Sequence, residues 1–215
     1  LTASTSKSAA PKPAADTSGA PEAAAPSSLR EEILQAATEL FAARGFNGTS
    51  IRAVVEAVGC TKPTLYYHFG SKEALYIETI RRPLVGLAEL VAHAKAQPTP
   101  FPERLRQLID AAFARAALQP AAIRLTMTLH LRPKDGPLQT ALALAETDPD
   151  ELFRELVADA QARGELRADV DPSVLASAIG ALTGHFIFLL TIKGEPPEEG
   201  TASRIVDLLL HGAAP

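Results

Sequence analysis

The stretch GCTKPTLYYHFGSKEAL, residues 59 to 75, decides how the chain is read. Gly59 and Gly70 bracket eight to ten residues, enough for a two-turn helix between two tight turns. Thr61 is placed to cap that helix. Pro63 is tolerated in its first turn, where backbone N–H groups have no helical partners. Leu65 and Phe69, four apart, share one face and point to a core. Lys62, Pro63, Thr64, Tyr66, Tyr67 and His68 are left to cover the other sides. An idle solvated face is usually filled with flexible charged residues. Two tyrosines beside a histidine and two lysines, with no acid before Glu73, make a surface suited to contact.

Moving upstream, Ser28 with Glu31 three residues later forms a capping-box signature. It opens a helix whose apolar face reads as Leu29, Ile33, Ala37, Leu40 and Phe41, stopped by Gly45, with Phe46 packing back. Thr49 or Ser50 then caps a second helix that turns Ile51, Val54, Val55 and Val58 inward and ends at Gly59. Ser71 caps a helix beginning at Lys72. Two short helices joined by Gly59-Cys60 form a helix-turn-helix.

Residues 29–82 resemble the N-terminal DNA-binding domain of the TetR family of transcriptional regulators. The resemblance rests on ILQAATELFAARGFNGTSIRAVVEAVGCTKPTLYYHFGSKEALY: the ATELF helix, the GF-x-GTS link, the VGCTKPTLYYHF turn and helix, and the GSKEAL start of the next helix. It implies that Lys62, Pro63 and Tyr66, with Thr61 and Arg52, meet base edges in the major groove. Lys62 suits guanine O6 or N7, and Pro63 and the Tyr66 ring suit thymine methyls. It also implies that Thr49, Ser50, Thr64, Tyr67, His68 and Lys72 contact the DNA backbone, Lys72 at a helix N-terminus that already favours phosphate. Where the family usually has alanine, this chain has Val55 and Val58. Their extra methyl groups bear on the spacing of the two helices, and so on which operator is read.

The rest of the 215 residues differs in character. Residues 29–82 hold seven Lys/Arg against six Asp/Glu, and residues 83–215 hold twelve against seventeen, within a net charge of −4. A modest basic patch on an otherwise acidic chain is compatible with phosphate binding and solubility. Residues 1–28 are Ala, Pro, Ser and Thr with few charges, and read as a disordered tail. No secretory signal is visible. Cys60, the single cysteine, allows no intramolecular disulfide and fits a reducing cytoplasm. Residues 172–192 carry no charge over a bilayer's length. Their Ser, Thr and His content and the Asp171-Pro172 helix start favour a helix buried in a bundle over a membrane span.

Residues 83–215 read as helices joined by proline-marked links. Phe101 to Leu118 is one. AAIRLTMTLHLRP alternates like a strand but has no second strand to pair with, and is assigned to helix. Asp148-Pro149 and Asp171-Pro172 open two more, and Thr201 to His211 closes the chain. The family resemblance implies an all-α body that binds ligand and forms a homodimer. Leu156, Leu175, Ile179, Leu182, Gly184 and Phe186 are the expected dimer contacts. A small, mostly apolar ligand is expected near Phe101, Phe113, Thr126, Met127, His130 and Phe153. The histidines are scattered, no metal-ligand spacing occurs, and no phosphate loop or nucleophile elbow is found, so no metal, cofactor or enzyme activity is expected.

The reading is therefore an all-α chain in three parts: tail (1–28), helix-turn-helix domain (29–82), and helical ligand-binding and dimerisation domain (83–215). The function expected is a cytoplasmic homodimeric repressor on a near-palindromic DNA operator, released by ligand. The alternatives are a regulator without ligand and, less favoured, an enzyme using a cavity in the body.

Overall fold

The computed structural model of the chain describes residues 1, 28–127 and 148–212. They are all-α: α1 (Leu29–Gly48), α2 (Ile51–Val58), α3 (Lys62–Phe69), α4 (Lys72–Ala96), α5 (Phe101–Leu118), α6 (Pro120–Met127), α7 (Pro149–Ala162), α8 (Pro172–Phe188) and α9 (Thr201–His211). A π-helical turn, Leu189–Lys193, extends α8. The caps fall where the sequence put them. Ser28, Ser50, Thr61 and Ser71 each accept from the backbone N–H three residues on. Asp148 and Asp171 accept from the N–H two residues on, each with a proline at the first helical position.

The head is α1 to α3 with the first half of α4. Its core holds Ile33, Leu34, Ala37, Phe41, Val54, Leu65, Phe69, Leu75 and Tyr76. The face of α1 is shifted from expectation: Leu34 is buried and Leu29 exposed, because the first turn projects past the end of the core. Gly45 breaks α1 at φ 71°, ψ 176°, and Phe46 stacks back on Phe41 with centroids 6.2 Å apart.

The body is α5 and α7–α9 with the second half of α4, around a separate core that includes Phe101, Leu105, Ile109, Phe113, Leu156, Val157 and Ile179. No link divides the two parts at residue 82. α4 runs unbroken through it, with Pro83 inside the helix. Nor does α6 belong wholly to the body: it lies against α1 and α4, and its Leu125 enters the head's core. The segment that alternates like a strand is helical as far as Met127; the remainder lies outside the described residues.

One guanidinium is fully buried. Arg104 on α5 pairs with Asp159 at 3.4 Å and with Glu165, and it donates to the Lys95 carbonyl at 3.5 Å. Arg163 donates to the same carbonyl at 2.8 Å. The C-terminal end of α4 is thereby tied to α5 and α7.

Candidate nucleic-acid interface

α3 is held from one side and open on the other. Leu65 and Phe69 are buried, while Lys62, Pro63, Tyr66 and Tyr67 are exposed, Tyr67 to 86%. The turn before α3 depends on Gly59, at φ 75° and ψ 25°, where a side chain would be strained. With that glycine left-handed, the N–H groups of Gly59 and Cys60 both donate to the Val55 carbonyl, at 2.9 and 3.0 Å. The turn therefore closes tightly and fixes α3 against α2. The Thr61 and Thr64 hydroxyls lie 2.8 Å apart at the helix start.

Around this face the expected contact residues divide. Ser50 is exposed, and its hydroxyl accepts from the Ala53 N–H at 3.1 Å, leaving its own hydrogen free to donate. The Lys72 ammonium sits 4.3 Å above the Phe46 ring at the start of α4. The ring restricts where the charge goes without cancelling it. His68 is half-buried and stacks edge-on with Tyr67 at 5.3 Å. Arg52 is exposed on α2 and is engaged by Glu56 one turn on, at 2.6 Å.

Thr49 is a correction. It is 1% exposed, and its hydroxyl donates to the carbonyls of Gly45 at 2.9 Å and Leu40 at 3.1 Å. It satisfies carbonyls left free where α1 breaks, and offers no hydroxyl to a phosphate. Two residues of the face were missed. Glu56 was signalled by its i,i+4 spacing from Arg52. Arg30, whose guanidinium lies 4.9 Å over the Phe69 ring, had no local signal because its partner is on another helix.

Three of the expected dimer contacts are also corrected. Leu156, Leu175 and Ile179 are buried in the chain's own core, and Phe186 packs on Phe113 with centroids 6.2 Å apart. Leu182 is half-buried against that same core, and Gly184 is half-buried with open space where a side chain would stand, so neither is closed to a partner. What α8 leaves outside is a different stripe: Val174, Ser177, Ala181, His185, Phe188 and Ile192, at spacings of three and four. The segment Pro172–Lys193 has a mean hydropathy of 1.9 and is long and apolar enough to cross a membrane, yet only 28% of it is buried. The large side chains went to the chain's own core, and the mixed face beside them was left uncovered.

The expected ligand residues are not gathered at one place. Phe101 and Phe113 sit in the body's core, about 18 Å apart along α5. Phe153 packs at the edge of that core. Thr126 donates its hydroxyl to the Ile123 carbonyl of its own helix at 2.8 Å, and Met127 meets the Thr191 hydroxyl at 3.9 Å. His130 lies outside the described residues. A cleft of about 470 Å³ is lined by none of the five that are described. Among the described residues no three His, Cys, Asp or Glu side chains are grouped to hold a metal ion.

Comparison with known proteins matches this arrangement in both parts. The family described as bacterial regulatory proteins, tetR family, matches residues 33–79. The family described as tetracyclin repressor-like, C-terminal domain, matches residues 102–206. The chain is 26% identical over 184 residues to the transcriptional repressor AcnR of Corynebacterium glutamicum, covering 86% of this chain and 92% of that one. It is 42% identical over 71 residues to the transcriptional repressor KstR2 of Rhodococcus jostii, covering 33% and 32%. In fold it is similar to the regulator FadR of Bacillus subtilis, solved with stearoyl-CoA, at a TM-score of 0.70 and 16% identity, over 85% of this chain and 98% of that one.

Proposed function

Because the chain belongs to the TetR family of DNA-binding transcriptional regulators, we propose that it is a cytoplasmic homodimeric repressor that reads a near-palindromic operator and leaves it on binding a mostly apolar small molecule. The observation that carries the DNA reading is the outer face of α3. Lys62, Pro63 and Tyr66 stand clear of the head on a helix locked by Leu65 and Phe69. Side chains on such a helix reach base edges, while Ser50, Tyr67 and Lys72 at its flanks are placed for phosphates.

A second copy is required by the same logic. One two-turn helix reads too few base pairs to specify a site, and two must stand about 34–36 Å apart to enter successive major grooves. The open stripe on α8 supports a two-fold contact of α7 and α8 with their counterparts, since an isologous contact would cover it on both copies at once. Release by a mostly apolar ligand is supported by the fold's likeness to a regulator solved with stearoyl-CoA. That the relatives are regulators supports a chain without catalytic activity.

DNA selection with the purified protein, followed by gel shifts against random duplex, tests the reading. Lys62→Ala and Tyr66→Ala should each lose about 1–3 kcal/mol of preference for the selected site. Lys72→Ala should weaken every duplex alike and reduce the salt slope by about 0.9. Phe188→Asp should give monomers that do not hold the operator. Equal affinity of the unmutated protein for selected and random DNA would refute the proposal.

A further inference from the structure

The cleft of about 470 Å³ opens where head and body meet, outside both cores. One wall is α1, with Leu34 and Glu39. The floor is α4 at Arg82 and Pro83. The other wall is the turn from α5 into α6, with Leu118, Ala122 and Arg124. Its size falls in the range of small-molecule sites. Pro120 and Ala121 supply open apolar surface beside the buried Leu34, Pro83 and Ala122. Leu118 stands at the rim 82% exposed, a large side chain with nothing over it.

The charges around the cleft are unequal in what they lack. Glu31 and Arg82 pair with each other. Glu39 is exposed, so water screens it. Arg124 is half-buried, and among the described residues no carboxylate pairs with it; its partner is the Thr191 carbonyl, at 3.1 Å. A guanidinium has five N–H donors, and one neutral acceptor leaves most of them unused. Nearby, Arg115 packs against Gly86, in the space a Cβ would fill, and donates to the Arg82 carbonyl at 3.4 Å. Burial, with the neighbouring Arg82 charge, outweighs the nearby Glu89 carboxylate and holds its pKa below the ordinary arginine value. Among the described residues, the half-buried charge at the cleft that lacks an opposite partner is therefore positive.

We infer that this cleft is an effector site for an amphiphilic carboxylate, an apolar body lying on Leu118, Pro120 and Ala121 with its single anionic head on Arg124. The inference deepens the regulator reading and rests on it for its consequence. One wall of the cleft belongs to α1 of the head and the other to the turn that leads from α5 of the body into α6, so a shift of the head against α5 reshapes it. A ligand fitting one arrangement draws the population toward that arrangement. Arg124 also donates to Thr191 of the α8 extension, so a ligand drawing on its guanidinium acts on the contact that holds that extension.

The test uses the full chain and three probes of equal tail: decanoate, decanol and decylamine. The chain contains no tryptophan, so Leu118→Trp places a single reporter at the rim. Decanoate should bind more tightly than decanol, and decylamine least. Arg124→Ala in the reporter protein should raise the Kd for decanoate about tenfold, the worth of a charge-assisted hydrogen bond, and change that for decanol less than about twofold. Arg124→Gln, which keeps a donor to Thr191, serves if the alanine variant does not fold and should show the same selective loss. Saturating decanoate should change operator affinity at least about threefold in the unmutated chain, and not in the arginine variants. The proposal is overturned if the decanoate Kd is insensitive to Arg124, if decylamine binds better than decanol, if no probe binds below about 1 mM, or if bound decanoate leaves operator affinity unchanged. Failure of the DNA reading shows separately, as loss of operator preference without any probe.

Discussion

Arg104 allows a prediction whose sign runs against intuition. The guanidinium is fully buried, whereas its partners Asp159 and Glu165 are each 25% exposed. Removing the arginine leaves two carboxylates that can turn to water, one still paired with Arg163 at 2.9 Å. Removing Glu165 instead leaves a buried cation short of its shorter contact. Breaking a buried pair by deleting one partner costs about 3–5 kcal/mol. Asp159 and the Lys95 carbonyl remain on Arg104, so the lower end applies to Glu165→Gln, about 3 kcal/mol. Arg104→Met refills most of the volume and should cost less than about 1.5 kcal/mol. For a chain of this size Tm should fall by roughly 6–12 °C in Glu165→Gln and by no more than about 6 °C in Arg104→Met. The double variant should resemble Arg104→Met alone, a coupling of about 2–3 kcal/mol. Urea unfolding followed by circular dichroism, at one protein concentration so that assembly does not confound it, gives all four corners of the cycle. If Arg104→Met is the more damaging single change, or if the two add, the assignment of the desolvation cost to the arginine is wrong.

Other substitutions test the head and the body separately. Thr49→Val should lower stability by about 1–2 kcal/mol, because the two carbonyls that share its single hydroxyl hydrogen lose that donor; a loss of DNA affinity with unchanged stability would contradict the buried role. Thr183 is 5% exposed, and its hydroxyl finds no partner among the described residues. Thr183→Val should raise Tm by about 2–4 °C, roughly 1 kcal/mol, and a fall would show that the hydroxyl is used. At Glu78 burial pushes the carboxyl pKa up, but bonds from Arg81 and Arg30 outweigh it and hold the group below the usual carboxylate range. Its stabilisation is thus complete above the unfolded value of about 4.3 and is lost as pH falls through the lower folded value. Between about pH 5 and 3 the unmutated chain should lose stability more steeply than Glu78→Gln; parallel curves would contradict this.

Local chemistry was legible where it is local. Ser28, Ser50, Thr61, Ser71, Asp148 and Asp171 announce their helices because a cap needs only its own next few residues. The inward pair Leu65 and Phe69, and hence the outward face of α3, followed from helical spacing alone. What failed depends on contacts between distant segments. Arg104 follows Glu103 on a charged stretch and looks like a surface charge, but its partners are 55 and 61 residues away. On α8 nearly every residue is apolar or small, so periodicity does not say which side the chain's own core takes. The core took Leu175 and Ile179, and the open stripe fell beside them. Thr49 reads as a polar link residue, and only the break at Gly45 explains why its hydroxyl is needed inside.

Pro83 stands in the middle of α4, with no N–H to give the Thr79 carbonyl one turn back. A helix with a missing rung bends there more readily than elsewhere. From Pro83 to Lys72, at the foot of the recognition unit, the lever is about 16 Å long. A bend of roughly 6° would swing that foot by about 1.7 Å, and two such levers in a symmetric pair would change the gap by about 3.4 Å, the rise of one base pair. An operator could thus be gripped or dropped by a flexure smaller than the ordinary curvature of many long helices, with every helix of the head kept intact.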